Sequence, residues 1–255
     1  MIHPTAIIHP RATIGTGCDI GPFCVIGERV TLGEKSQLHS HVVIDGHTRL
    51  GGGNEIFPFV ALGMKTQDLK YAGGNPRLEI GDKNVFREGV TVHCGTKDGE
   101  ATVIGSGNLF IIHSHVAHDC ILGNNIIMSG YAGLAGHCVV EDNAILAGYV
   151  AVHQFCRIGK FSLIGGCSKI VQDVPPYMIV DGNPGETRTI NKVGLERAGF
   201  SDEAQTALRA AYKILFREGL ATPNALAKIE GELPSLPEVK HLVEFVRTSE
   251  RGVCK

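Results

Sequence analysis

His118, His137 and His153 recur at intervals close to 18 residues, and Asp119 directly follows His118. Imidazole is the side chain whose ordinary pKa lets it take and return a proton near neutral pH. Such a set suits general-base activation of a hydroxyl or an amine. A carboxylate beside one ring can fix its tautomer. Gly136, just before His137, could let a backbone N–H face a developing oxyanion. His113 and His115 lie just upstream of His118, and Gln154 follows His153. The plainer reading of the same residues is a ladder of histidines that hydrogen-bond at the ends of turns and do no chemistry.

The intervals have a structural origin. Stepping by six from Ile2 meets Ile8, Ile14, Ile20 and so on to Leu62, then Ile80, Phe86 and Val92, then an apolar run from Ile104 to Ile170. Only Asp68, Gly74 and Asp98 break the phase. A period of six fits neither a helix nor an alternating strand; it marks an all-β parallel β-helix of hexapeptide repeats. With each apolar residue as position one, position five is compact (Ala12, Cys24, Val42, Ala132, Ala144). Both point inward and fill a narrow triangular prism. Three hexads close one coil, so residues about 18 apart stack at about 4.8 Å per layer. Glycine is frequent at position two (Gly15, Gly21, Gly33, Gly105, Gly123), which predicts unusual dihedrals as the chain turns there. His118 and Gly136 take position three, His137 position four, and His153 and Gln154 positions two and three. The hexads of Val116, Leu134 and Val152 are successive turns of one side, so three imidazoles gather within roughly 10 Å.

A net charge of −2 argues against a nucleic-acid or membrane footprint. No apolar stretch approaches a membrane span, and Met1-Ile2-His3-Pro4 opens no signal-like segment. The expectation is a cytoplasmic protein with no nucleic-acid partner and no stable membrane insertion. Five of the eight cysteines (Cys18, Cys24, Cys120, Cys138, Cys156) fall at position five, as core filler, and no CxxC pair exists.

The comb breaks at 63–79 and 95–103, predicted as loops extruded from the edge that carries the Val116, Leu134 and Val152 hexads. Residues 1–190 form the prism. Val174-Pro175-Pro176 and Gly182-Asn183-Pro184-Gly185 are breakers. Residues 191–255 read as a small C-terminal α-helical domain. Ser201 caps a helix to about Arg217, Thr222-Pro223 opens a second, and Ser235 and Pro237 introduce a last one to about Thr248. Arg209, Lys213 and Arg217 share one helix face, either simply solvated or receiving an acidic partner.

Residues 113–176 (HSHVAHDCILGNN, LAGHCVV, AVHQFCRIG, GGCSKIVQDVPPY), the loop QDLKYAGGNPR and the tail VGLERAGFS with AYKILFREG closely resemble the UDP-N-acetylglucosamine O-acyltransferases of lipid A biosynthesis. The likeness spans essentially the whole chain. It implies a left-handed coil, against the usual hand of parallel crossovers, and a homotrimer with sites between prisms. It implies transfer of a 3-hydroxyacyl group from acyl carrier protein to the 3-position of a UDP-sugar, with no metal and no cofactor. By motif position His118 would be the general base, Asp119 its orienting partner, and the Gly136 N–H the donor to the tetrahedral intermediate. Asp68 and Lys70 would come from the loop, and His115, His137 and His153 would line the cleft. Gln154, Asn191 and Arg197 would lie toward the nucleotide. Gly166 stands where the family sets acyl length, and glycine there implies room for a long chain. The Arg209, Lys213 and Arg217 face would suit the acidic carrier. Two departures, Pro184 where many relatives have His and Ala198 where many have a second basic residue, fall near the nucleotide end. They leave the acceptor open between a 3-hydroxy sugar and a 3-amino analogue that would give an amide.

Three rivals stand beside this reading. A zinc carbonic anhydrase on the same fold would use an HxxxxH pair, which His113 and His118 supply. Its third histidine, from about two coils upstream, is missing at residues 77–82, and His93 is the nearest. Acetyl-CoA as donor is opposed by the tail and the QDLKYAG loop. A non-catalytic solenoid gives no reason for histidines, a loop and a glycine to converge on one edge.

Overall fold

A computed structural model describes residues 1–255. Short strands form at hexad positions six and one, from Ile7–Ile8 and Thr13–Ile14 through to Lys169–Ile170. They stack in parallel into sheets of nine, eight and ten strands, the three faces of a left-handed prism. Ile7 pairs with Val25 and Val25 with Val43, the 18-residue step of one coil. The comb residues are the core: Ile20, Ile44, Leu62, Phe86, Val116 and Leu146 are fully buried. The five position-five cysteines are buried with them as free thiols.

The glycines of position two do a different job from the one their type suggested. Left-handed φ falls at position four instead, on Lys35, His41, Lys83, Asn125, Tyr131 and Asn143. Position-two glycines are required by the close approach of the next coil. A Cβ on Gly33 would lie 2.3 Å from the carbonyl carbon of Gly51.

The extruded segments are shorter than the breaks in the comb. Strands Ala61–Met64 and Arg77–Ile80 bracket residues 65–76, and Thr91–His93 and Ala101–Ile104 bracket residues 94–100. Leu62 pairs with Val92, and Val92 with Val116, so both excursions insert whole hexads and the comb stays in phase across them. All three residues that break the comb sit inside the excursions. Both leave between the nine- and eight-stranded faces and clasp each other. Thr66 Oγ1 lies 3.0 Å from Thr96 Oγ1, and the Asn75 N–H donates to Asp98 Oδ1 at 2.6 Å.

Past Ile170 the breakers do not end the sheet. Met178–Asp181 joins the ten-stranded face, and Glu186–Ile190 folds back antiparallel on it. Helices α1 (Lys192–Arg197), α2 (Asp202–Phe216), α3 (Thr222–Glu232) and α4 (Pro237–Arg247) follow. Ser201 caps α2, its Oγ accepting the Ala204 N–H at 3.1 Å. The helices share a core with Tyr177, Met178 and Ile190 of the prism end. The tail returns to the prism, with Val253 bridging Asp173 and Cys254 buried in the prism core. No helix is long and apolar enough to cross a membrane.

Candidate active site

Asp119 occupies the left-handed corner position (φ 59°), and the turn lays its carboxylate beside the preceding imidazole. His118 Nδ1 lies 2.7 Å from Asp119 Oδ2, with both side chains largely buried. Asp119 Oδ1 accepts the Thr96 N–H at 2.9 Å, and the Asp119 N–H donates to Thr102 Oγ1 at 2.9 Å. Burial pushes the Asp119 carboxyl up, but hydrogen bonds from Thr96 and His118 and the nearby His137 outweigh it and hold it below the ordinary carboxylate range. An ionised carboxylate only accepts, so Nδ1 carries the hydrogen, and in the neutral ring Nε2 then holds the lone pair. Gly136 lies against that ring: a Cβ there would be 2.4 Å from His118 Cε1 and 2.7 Å from Nε2. The Gly136 N–H donates to no atom of the chain. His137 takes the corner of the next coil (φ 61°). Its ring stands edge-on to His118 at 5.3 Å, with Nε2 3.6 Å from Asp119 Oδ2, and it stacks on Phe155 at 4.6 Å.

The first excursion reaches this point. Asp68 offers an oxygen within 4.8 Å of ring nitrogens of His118 and His137. Asp68 Oδ1 accepts the Lys70 N–H at 2.8 Å, while the Lys70 and Leu69 side chains are exposed. His115 sits on the nine-stranded face, its Nδ1 2.8 Å from Thr91 Oγ1 and its ring edge-on to His93 at 5.1 Å. Burial, with the charge of His118, pushes the His115 pKa down. Burial above all, helped by His115 and His118, pushes that of His93 down to about 4.

Other expected residues lie elsewhere in a single chain. The Leu134–Val152 register sets His153 over Ala135, exposed and turned to the tail, with Nδ1 3.4 Å from Arg251 Nη2. His118 and His137 are the two imidazoles in ring contact, while His153 stands at position two of its hexad, two positions before the corner residue Phe155. Gln154, exposed, continues the column of His118 and Gly136. Gly166 tops a column of Ile112, Gly130 and Gly148 at the opposite edge of the nine-stranded face, beside the Tyr131–Tyr149 stack. Asn191 is buried as the α1 cap: Oδ1 accepts the Gly194 N–H at 3.2 Å and Nδ2 donates to the Phe161 carbonyl at 2.9 Å. Arg197 is exposed at the end of α1. Phe161, and so Asn191, belongs to the third edge, between the eight- and ten-stranded faces.

The HxxxxH pair does not converge. His113 occupies the preceding corner and packs on Tyr131 at 5.1 Å, so a whole face separates it from His118. Asp68, His118 and His137 are the group that could approach a cation, though zinc ligands at bonds near 2.1 Å stand about 3.3 Å apart. The sequence reading missed Thr66, Thr96, Thr102 and Phe155. Threonine in a loop carries no periodic signal. Phe155 was readable as the next corner residue after His137.

Comparison with known proteins gives one answer. The sequence pattern described as "Udp N-acetylglucosamine O-acyltransferase; Domain 2" matches residues 173–254. The chain superposes over its full length on LpxA, a UDP-N-acetylglucosamine acyltransferase from Bacteroides fragilis, at 41% identity, TM-score 0.98 and 100% of that chain. LpxA from Acinetobacter baumannii gives 45% identity and a TM-score of 0.96 over 100% of this chain and 99% of the other. The Arabidopsis UDP-N-acetylglucosamine acyltransferase gives 38% and 0.89, with both chains covered completely.

Proposed function

The chain belongs to the UDP-N-acetylglucosamine acyltransferase family, and from that premise we propose that it carries a 3-hydroxyacyl chain from acyl carrier protein to the 3-hydroxyl of UDP-N-acetylglucosamine. This is the first step of lipid A biosynthesis, and we place it in the cytoplasm. The observation that carries the mechanism is the His118–Asp119 contact at 2.7 Å, which leaves Nε2 as the free base. His118 Nε2 takes the proton of the sugar 3-hydroxyl as its oxygen attacks the thioester carbonyl. The Gly136 N–H donates to the oxyanion. The intermediate collapses, the carrier thiolate leaves, and it takes the proton back from His118. The thioester supplies the driving force, so the step calls for no cofactor beyond the acyl carrier co-substrate. Asp68 and Lys70 would orient the sugar, beside His115 and His137.

A homotrimer would complete the site. His118 and the Gly166 column occupy opposite edges of one face, so a cleft that uses both needs two prisms. The exposed Phe23, Phe59, Ile112, Tyr131 and Tyr149 along the Gly166 edge support association there. Gln154, in the column of His118, would lie toward the nucleotide from the same prism, and the same packing would deliver Asn191 and Arg197 from a neighbouring copy. For Asn191 the contact would have to be one that its capping role leaves free. The carrier protein would dock on Arg209 and Lys213, both exposed, with Arg217 partly engaged by Tyr212 at 2.7 Å. Relatives named for UDP-N-acetylglucosamine support the 3-hydroxy acceptor over the amine. The test is His118→Ala with radiolabelled acyl carrier protein. It should fold and associate but lose transfer by on the order of 10²-fold or more, and near-normal turnover would sink the assignment.

A further inference from the structure

The residue that joins most parts of the site is one no sequence pattern marked. Thr96 is buried, 6% exposed. Its N–H donates to Asp119 Oδ1 at 2.9 Å, and its Oγ1 lies 3.1 Å from His118 Nδ1 and 3.0 Å from Thr66 Oγ1. Thr66, also buried, accepts the Asp68 N–H at 3.1 Å. One side chain therefore touches the His–Asp pair and the loop that presents Asp68. We propose that Thr96 is a positioning residue for acyl transfer: its hydroxyl is a second acceptor for His118 Nδ1–H, and its bond to Thr66 ties the loop to the base. The inference rests on His118 being that base.

One assignment of the hydrogens satisfies these contacts together. Nδ1–H has Asp119 Oδ2 at 2.7 Å and Thr96 Oγ1 at 3.1 Å as its two acceptors. The Thr96 hydroxyl hydrogen is then free to donate to Thr66 Oγ1. That oxygen accepts it and the Asp68 N–H, filling both lone pairs. When Nε2 takes a proton the ring becomes cationic, and hydrogen bonds to a charged group are the stronger kind. The second acceptor therefore favours the protonated ring, which forms only as the reaction proceeds. It also restrains the ring plane, so that Nε2 stays beside Gly136. A structural clasp alone would give the loop its position but would not alter the proton affinity of His118.

The variant Thr96→Val keeps the shape and the backbone N–H and removes only the hydroxyl. In the full-length protein, kcat should fall on the order of tenfold, with KM for the UDP-sugar changed less than about twofold. The acid limb of the kcat–pH profile should move to lower pH by roughly half a unit or more. Thr96→Ser should restore both. Thr66→Val should lower kcat as well, and the double variant should be no worse than the worse single, because both act through one bond. Thr96→Val with wild-type kcat and an unmoved limb would overturn the proposal, as would a loss that tracks thermal stability and that Ser does not rescue. If Thr96→Val does not fold, wild-type kcat in a folded Thr66→Val overturns the link to the loop. His118→Ala separates the failures. Turnover there removes the base and this inference together, whereas a dead His118→Ala beside a normal Thr96→Val removes this inference alone.

Discussion

Replacing Gly136 by alanine tests the site geometry with a single carbon atom. The new Cβ would lie 2.4 Å from His118 Cε1, 2.7 Å from Nε2 and 3.0 Å from Nδ1. Carbon–carbon contacts settle at about 3.5–4.0 Å, so the imidazole must retreat by roughly 1 Å. The backbone raises no objection, since Gly136 is not among the residues of positive φ. The ring has little room to retreat, with Asp119 Oδ2 at 2.7 Å and Thr96 Oγ1 at 3.1 Å from Nδ1. A displacement of about 1 Å at a reacting group costs on the order of 10²-fold in rate, about 2.7 kcal/mol of barrier. The loss should appear in kcat, because the remote contacts of the sugar and the carrier are untouched. Overpacking of this kind destabilises by about 1–3 kcal/mol, which leaves a folded protein to assay. Radiolabelled transfer and thermal unfolding on the same preparation give both quantities. A folded Gly136→Ala with kcat within about threefold of wild type would refute the placement of His118 Nε2 at the reacting atoms.

Three further outcomes follow from other parts of the chain. Gly231, exposed in α3, has nothing within 4 Å of an added Cβ. Gly231→Ala should raise stability by about 0.5–1 kcal/mol in urea melts without changing turnover, and a loss of stability would contradict its place in the helix. His93 titrates near its ordinary 6.5 when unfolded and at about 4 when folded, so between those values the unfolded chain binds more protons. Its contribution to stability is full above pH 6.5 and is lost as pH falls toward about 4. Unfolding of His93→Gln should therefore show a shallower decline over that window, and an equal slope would exclude the effect. At Gly166 a Cβ would meet only the Gly148 carbonyl, at 3.4 Å. Gly166→Leu should fold and shift the acyl product to shorter chains by mass spectrometry; an unchanged distribution would detach that column from the acyl group.

The period of six made the prism readable because it records burial. Ile20, Ile56, Val116 and Ile164 appear as the comb and are buried as the comb. It also put His118, Asp119, Gly136 and His137 near one edge, although it set the turn at the position-two glycines and not at position four. It could not tell a glycine needed for φ from one needed for clearance, since both look like glycine at a turn; only the neighbouring coil at 2.3 Å from a Gly33 Cβ decides. Nor could it register contacts that depend on two excursions folding onto each other, which is where Thr66 and Thr96 meet. His153 shows the limit of spacing arguments. Two positions short of the corner was close enough in sequence to join the expected cluster, and its Nδ1 lies 3.4 Å from Arg251 Nη2. The Met178–Asp181 and Glu186–Ile190 hairpin escaped notice because its six-residue phase ends where its proline-rich breakers begin.

The His118–Asp119 pair belongs to the corner more than to the residues themselves. Neighbours in a strand point to opposite faces, so adjacent His and Asp cannot meet there. A left-handed residue, at a cost of roughly 1–2 kcal/mol, folds the carboxylate back beside the ring. Elsewhere the corner N–H is held by the coil before it: His41 donates to the Pro22 carbonyl, His137 to that of His118 and Phe155 to that of Gly136. At Asp119 the preceding corner has been opened by the second excursion, and the N–H donates to Thr102 Oγ1 instead. The opening that removes the usual backbone acceptor is also what admits Thr96 and Asp68 to the pair. Shifting the dyad one coil later would restore the backbone bond but forfeit those partners. One residue later in the same coil, the carboxylate would occupy the inward position now filled by Cys120, which is fully buried. The pair therefore stands where a closed corner meets an opened one, and the two excursions hold it as much as the coil does.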